Sequence, residues 1–237
     1  MSAALSTPIM RERPILFSGA MVKAILGDRK TVTRRICRVQ PEPWKAHHAE
    51  GGCQQSDWTP APCDDGTWDL ISTHAASTVP GFGRCPFGAH GERLWVRETW
   101  APQPGREESV DLPEYDGGKN PDALCYRADE CRPGESTEWP EGLTFGVRKW
   151  RPSIFLPRWA SRITLAITDV RVERLHAITE DDACAEGVEP DFGNAYTYAD
   201  RDYRRAFERL WDAINGKRAN FASNPWVWRV AFAVVKP

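Results

Sequence analysis

The stretch "ILGDRKTVTRR", residues 25–35, sets Arg29, Lys30, Arg34 and Arg35 around Thr31 and Thr33, directly after an apolar run. Just upstream, Ile15, Leu16 and Phe17 predict a short buried strand. Ser18 then reads as an N-cap, and Met21, Val22, Ile25 and Leu26 keep helical spacing until Gly27. The basic block therefore falls in the turn after a short helix, where backbone amides and hydroxyls are available for chemistry.

Two readings of that turn compete. A threonine hydroxyl attacks a carbonyl poorly unless a base takes its proton, and a lysine can do so only when neutral. That requires a pKa far below about 10.4, reached by burial or by cationic neighbours such as Arg29, Arg34 and Arg35. The plainer reading is that the lysine and arginines grip phosphate while Thr33 caps a turn. K-x-x-T spacing alone does not separate the two.

Composition narrows the class. The 237 residues suffice for one large or two modest domains with a buried core. With 31 basic and 33 acidic side chains the formal charge is −2, so any nucleic-acid binding must use a local patch. Residues 21–40 hold one: Lys23, Arg29, Lys30, Arg34, Arg35 and Arg38 face only Asp28. No window approaches the roughly 18 uninterrupted apolar residues of a membrane span, and the start of the chain lacks the pattern of an export signal. The seven cysteines are odd in number and form no CxxC pair, which predicts mostly reduced thiols and a cytoplasmic protein.

Working outward from the basic turn, "GERLWVRETW" reads as a strand, with Leu94, Val96 and Glu98 alternating with Trp95 and Arg97. "ASRITLAITDVRVERL" is the clearest strand: Ile163, Leu165 and Ile167 share a face, and the phase slips at Thr168–Asp169 before Val170 and Val172 resume. Such a slip suggests the bulge or bend that a small barrel needs at a corner. In "ITEDDACAEGV", Thr179 and Asp182 form a capping-box pattern, and Gly187 stops the short helix. Tyr203, Phe207, Leu210, Trp211 and Ile214 mark an amphipathic helix ended by Gly216. The chain closes on "NPWVWRVAFAVV", where Trp226, Trp228, Val230, Phe232 and Val234 alternate. Residues 1–12 read as a flexible N-terminus and 13–237 as one domain. Within it, 39–90 and 101–150 are rich in Pro, Gly and Trp without sustained periodicity. Both are expected to be long loop insertions with a short hairpin each. The fold expected is α+β, mainly β: a small mixed barrel with short helices packed outside, since no βαβ rhythm supports a doubly wound parallel sheet.

Further chemistry is sparse. Glu186 ends the short helix, where a carboxylate can hold a lysine or protonate a leaving amine, although an acid there is commonly just solvated. Cys53, Cys63, Cys85 and His90 offer metal ligands at spacings that match no standard zinc pairing, so no metal and no cofactor is expected. Among the eleven tryptophans, Trp226 and Trp228 read as core. Trp95, in the strand before Glu98, or one of the loop tryptophans can instead stack on a base.

Together these pieces form a resemblance. "ILGDRKTVTRR" resembles the G-x-K-x-x-T-x-R signature of ASCH domains, PUA-like β-barrels linked with RNA, with one extra residue between Gly27 and Arg29-Lys30. "GERLWVRETW", "ITEDDACAEGV" and "NPWVWRVAFAVV" are similar, in order, to the family's barrel strand, short helix and closing strand. The whole chain is similar to ASCH-containing proteins of bacteriophages and prophages. One branch of the family, the small bacterial N4-acetylcytidine amidohydrolases, uses a lysine, a threonine and a glutamate. The resemblance places those roles on Lys30, Thr33 and Glu186. It also implies a modified nucleoside or RNA as partner, contacted by Arg29, Arg34, Arg35, Trp95 and Glu98. A non-catalytic RNA- or modified-base-binding module, or a ribonuclease, fits the same residues.

Overall fold

The computed structural model describes residues 11–42, 58–72, 78–102, 124–129, 150–192 and 201–236. The expected flexible start lies outside these except for Arg11 and Glu12. The fold is α+β, with mostly strands and few helices, and the chain divides into two compact units made of discontinuous segments.

The first unit takes in residues 1–28, 91–166 and 234–237. Its sheet begins with β1 (Glu12–Leu16), parallel to β6 (Arg93–Arg97), with Ile15 opposite Val96. β6 pairs antiparallel with the start of β9 (Thr164–Arg174), Leu94 opposite Leu165. The predicted helix is α1 (Gly19–Leu26): Ser18 Oγ accepts the Met21 amide at 3.4 Å, and Val22 and Ile25 are fully buried. β6 differs from its half-buried pattern, because Leu94, Trp95 and Val96 are all buried. β7 (Trp100–Pro102) and β8 (Leu124–Tyr126) pair antiparallel within the second expected insertion, most of which lies outside the described residues. Trp100, Leu124 and Tyr126 pack there with Leu156 and Ala160.

The second unit takes in residues 29–90 and 167–233, where the short β10 (Asp191–Phe192) and β11 (Arg201–Asp202) pair antiparallel. Here β12 (Trp226–Val234) lies between β9 and β2 (Val32–Ile36), and pairs antiparallel with β2 so that Thr33 faces Val230 and Arg34 faces Arg229. Burial along β9 passes from Leu165 and Ile167 to Val172, the phase change that the sequence shows. One face of the β2–β12 pair meets α2 (Glu180–Ala185) and α3 (Tyr203–Asn215): Val227, Ala183, Phe207 and Trp211 share one apolar cluster with Leu175 and Ile178. Burying an aromatic or branched aliphatic side chain of this kind stabilises by about 1.5–3 kcal/mol. Ile214, expected on the apolar stripe of α3, is exposed instead.

Two expectations need correction. The first insertion is no bare loop with a hairpin. It holds a three-stranded antiparallel sheet of β3 (Trp58–Pro62), β4 (Thr67–Ser72) and β5 (Thr78–Arg84), bulged between Trp68 and Asp69. Pro60 and Pro62 hid β3, because proline is tolerated on an edge strand and lowers any strand reading of the sequence. Phe82 and Trp68 meet Trp226 and Trp228 edge-on, with Phe82 5.3 Å from Trp226, so part of the tryptophan excess fills this layer. Second, the strands form open sheets: among the described residues β1 pairs only with β6 and β2 only with β12, and no barrel closes. The phase change in β9 turns no barrel corner among the described residues. No helix of the described residues is long and apolar enough to cross a membrane.

Candidate functional site

The turn after α1 is built by its own sequence. Gly27 caps the helix, its amide reaching the Lys23 carbonyl at 3.0 Å, and Asp28 adopts the left-handed region at φ 54°. Aspartate tolerates that region better than most residues. Lys30 and Thr31 run against the end of α2: Lys30 forms a bridge with Glu186, and the Thr31 amide donates to the Ala185 carbonyl at 2.9 Å. Thr179 Oγ1 accepts the Asp182 amide at the start of α2, and Gly187, at φ 78°, releases the chain just past Glu186.

Lys30 is 2 % exposed and Glu186 4 %. Lys30 Nζ donates to Glu186 Oε2 at 2.7 Å, to the Glu186 carbonyl at 2.8 Å and to the Val32 carbonyl at 2.7 Å. Three acceptors match the three protons of an ammonium, and the Glu186 carbonyl belongs to the electron-rich end of a helix. Burial nevertheless pushes the Lys30 pKa below its ordinary value, against the opposing pull of the Glu186 carboxylate and with help from the Arg35 and Arg34 charges. The amine is held as a cation by contacts in a place that disfavours cations. A buried lysine with a shifted pKa marks a candidate site, and structural ion-pair networks produce such shifts as well.

The second oxygen of Glu186 belongs to Arg34, whose Nη1 approaches Oε1 at 3.3 Å. Arg34 also donates to Glu173 Oε1 and Asp182 Oδ2, each at 2.8 Å. Asp182 in turn accepts Arg229 Nη2 at 2.9 Å, and Arg229 Nη1 reaches Asp169 at 3.2 Å. Burial works to raise the Asp182 pKa, yet the guanidiniums of Arg229 and Arg34 overcome it and hold the carboxyl below its ordinary range. This chain of alternating charges links β2, β9, α2 and β12.

The predicted site residues thus divide. Lys30, Arg34 and Glu186 come together. Thr33 is buried on β2, and strand alternation sets it with Arg35 on the face opposite Val32 and Arg34. The Arg35 guanidinium is pushed below its ordinary pKa by burial, with the Glu186 charge opposing. Arg29 points elsewhere and pairs with Glu189 at the surface. Trp95 and Glu98 belong to the first unit. Trp95 lies under the Arg97 guanidinium at 4.6 Å, and Glu98 receives both Nε and Nη2 of Arg162, at 2.9 and 3.0 Å. Sequence reasoning missed Glu173, Asp182 as a charge partner, and Arg229. The one available signal was Arg229, a charged residue inside an otherwise apolar closing strand. Cys63 is half-buried, Cys85 buried and His90 exposed, while Cys53 lies outside the described residues. Among the described residues no three His, Cys, Asp or Glu side chains are grouped to hold a metal ion.

Comparison of the chain with family models, with curated proteins and with solved structures finds no match.

Proposed function

We propose that this is an ASCH-type protein with a PUA-like architecture that hydrolyses the amide of an N4-acylated cytidine or a related modified nucleoside. The observation that carries the reading is the buried contact of Lys30 Nζ with Glu186 Oε2 at 2.7 Å, made between residues 156 positions apart. It joins the lysine and the acid of the resemblance in a setting that lowers the lysine pKa.

The chemistry runs as two proton transfers and one acyl transfer. Within the dry pair, a proton passes from Lys30 Nζ to the Glu186 carboxylate, leaving a neutral amine and a neutral acid. Because Thr33 and Arg35 lie on the face of β2 opposite Arg34, the proton of Thr33 reaches the Lys30 amine through one relaying water as Thr33 Oγ attacks the amide carbonyl carbon, and Arg35 stabilises the oxyanion. The C–N bond then breaks as Glu186 returns its proton to the exocyclic nitrogen, giving free cytidine and an acyl-threonine. Water attacks that ester and releases the carboxylic acid and the Thr33 hydroxyl. General acid–base assistance of this kind contributes about 10²–10⁴-fold.

A non-catalytic RNA-binding module is the second reading, and one observation weighs against it. Arg29 and Arg34 are engaged by Glu189, Glu173, Asp182 and Glu186, so the basic block spends much of its charge on the protein itself. The ribonuclease reading meets the same objection.

Incubation with N4-acetylcytidine, followed by chromatography for cytidine, tests the proposal. The wild type is expected to turn over, and Lys30→Ala, Thr33→Ala and Glu186→Gln to lose at least a hundredfold in kcat/KM per folded molecule. Turnover that survives in all three removes the mechanism, and binding without turnover in the wild type leaves the module.

A further inference from the structure

The far end of β2 opens a second space of different chemistry. A cavity of about 270 Å³ lies among the end of β2, the end of β9 and the segment that follows α3. Lys30 and Ile36 are six residues apart on nearly extended chain, about 20 Å at roughly 3.3 Å per residue. This space is therefore separate from the Lys30–Glu186 pair.

Three arginines line it, Arg38, Arg174 and Arg218, against a single acid, Glu42, an excess of two positive charges. Arg174 forms the inner wall. Its Nη1 donates to the Asn224 carbonyl at 2.9 Å, and its guanidinium lies 4.0 Å over the Trp226 ring. Trp226 is itself fixed: its indole N–H donates to the Pro41 carbonyl at 3.0 Å, and its amide donates to Gln40 Oε1 at 2.7 Å. The Arg174 guanidinium thus loses little further freedom when it meets a ligand. Arg38 and Arg218 stand exposed at the rim, and among the described residues neither is in an ion pair.

We infer that this cavity binds a phosphate group, either the terminal phosphate of a nucleotide or a phosphodiester of a nucleic-acid strand. Guanidinium forks match phosphate oxygens in geometry as well as charge. The cavity is just below the ~300 Å³ at which pockets begin to enclose whole drug-sized ligands, so it suits an anionic group better than an entire nucleoside. Burial pushes the Arg174 pKa down to about 10 against the opposing charge of Glu42, so a bound phosphate offsets part of the desolvation of the guanidinium. Glu42 then acts as the one repulsive element. The inference does not rest on the hydrolase reading, because it requires neither Lys30 nor Glu186.

Calorimetric titration of the full chain with inorganic phosphate, 5′-CMP, cytidine and a short oligocytidylate tests it. Phosphate-bearing ligands are expected to bind and cytidine to bind at least tenfold more weakly than 5′-CMP. The double variant Arg38→Gln/Arg218→Gln should lose at least tenfold for every phosphate-bearing ligand. Glu42→Gln should tighten binding, a gain that misfolding cannot produce, and Lys30→Ala should leave binding unchanged. For the oligonucleotide, the slope of log affinity against log salt should fall by about 1.4 in the double variant, two contacts at about 0.7 each. Binding of phosphate and 5′-CMP identifies a terminal phosphate as the ligand; binding of the oligonucleotide alone identifies the strand. Equal affinities in wild type and double variant, or no saturable binding of any phosphate-bearing ligand, overturn the inference.

Discussion

Each unit of the molecule holds a network of buried charge, and the two networks differ in one component. In the first unit Arg162 grips Glu98 with two bonds and Asp129 with two more, both at 2.8 Å, and its guanidinium lies 4.1 Å over the Tyr126 ring. A guanidinium remains charged under all ordinary conditions, so the cation of this clamp has one protonation state as it ties the segment after β6 to the one before β9. In the second unit a lysine stands at the end of the chain of arginines and acids. Lysine can give up its proton when buried, so that network holds a cation with two states where the cation of the clamp has one. The difference separates a group that fixes structure from a group that can do chemistry, although both look alike as lists of ion pairs.

The largest expected effect breaks the titratable network. Lys30→Ala should lower kcat/KM on N4-acetylcytidine by about 10²–10⁴-fold, whereas Arg162→Ala should leave the activity of the folded protein within about twofold of wild type. An equal loss in both variants, measured on protein shown to be folded by circular dichroism, would mean that the distinction between the networks is false.

Next comes stability. Arg162→Ala abandons Glu98, which is 1 % exposed, to a site without its cation. Breaking a buried pair costs about 3–5 kcal/mol, and because Arg162 is itself partly exposed the lower end applies, about 3 kcal/mol by urea unfolding. Changing Glu98 to Leu in the same background should recover part of that loss, since removing both charges is less costly than removing one.

Acid should pull the two units in opposite directions. The depressed Asp182 carboxyl contributes stability that is present above the ordinary carboxylate pKa, about 3.9, and is lost as pH falls through its lower folded value. Glu98 is the reverse case: burial raises its pKa against the pull of Arg162. Its contribution is full below the ordinary glutamate value, about 4.3, and is lost as pH rises through the folded one. Asp182→Asn should therefore flatten the acid loss of stability, and Glu98→Gln should steepen it. Melting temperatures between pH 3 and pH 7 read both. Activity adds a third curve: the mechanism needs the one proton that Lys30 and Glu186 share, and burial depresses the Lys30 pKa, so the rate should fall as pH rises toward the normal lysine range.

The smallest effect sharpens the comparison from outside. Arg29 pairs with Glu189 where the two side chains are 48 % and 78 % exposed. Such surface pairs contribute about 0–1 kcal/mol, so Arg29→Ala should change stability by less than about 0.5 kcal/mol. A larger loss would show that the start of the basic block matters to the buried network.

Local signals in the sequence carried far. Ser18 and Gly27 bounded α1, Thr179 and Gly187 bounded α2, and the closing alternation marked β12, because caps and periodicity act over a few residues. β3, β4 and β5 were hidden in a stretch rich in proline and glycine, since such short strands owe their existence to their partners rather than to their own pattern. Lys30 and Glu186 were picked out through the ILGDRKTVTRR turn and the ITEDDACAEGV helix, which the resemblance aligned. Arg229 and Glu173 were not, because nothing in their own neighbourhoods announces a partner dozens of residues away.

By itself, then, the order of residues determined the turn, the caps, the two amphipathic helices and which side chains carry charge. Tertiary structure alone decided that Arg29 and Arg34 of the basic block face acids of the same chain, that Glu98 is claimed by Arg162, and that an arginine-lined cavity opens at the far end of β2. Helical and turn preferences are local energies, legible in a window of residues, whereas burial and charge pairing depend on which distant segments are brought within a few ångströms, and no window contains them.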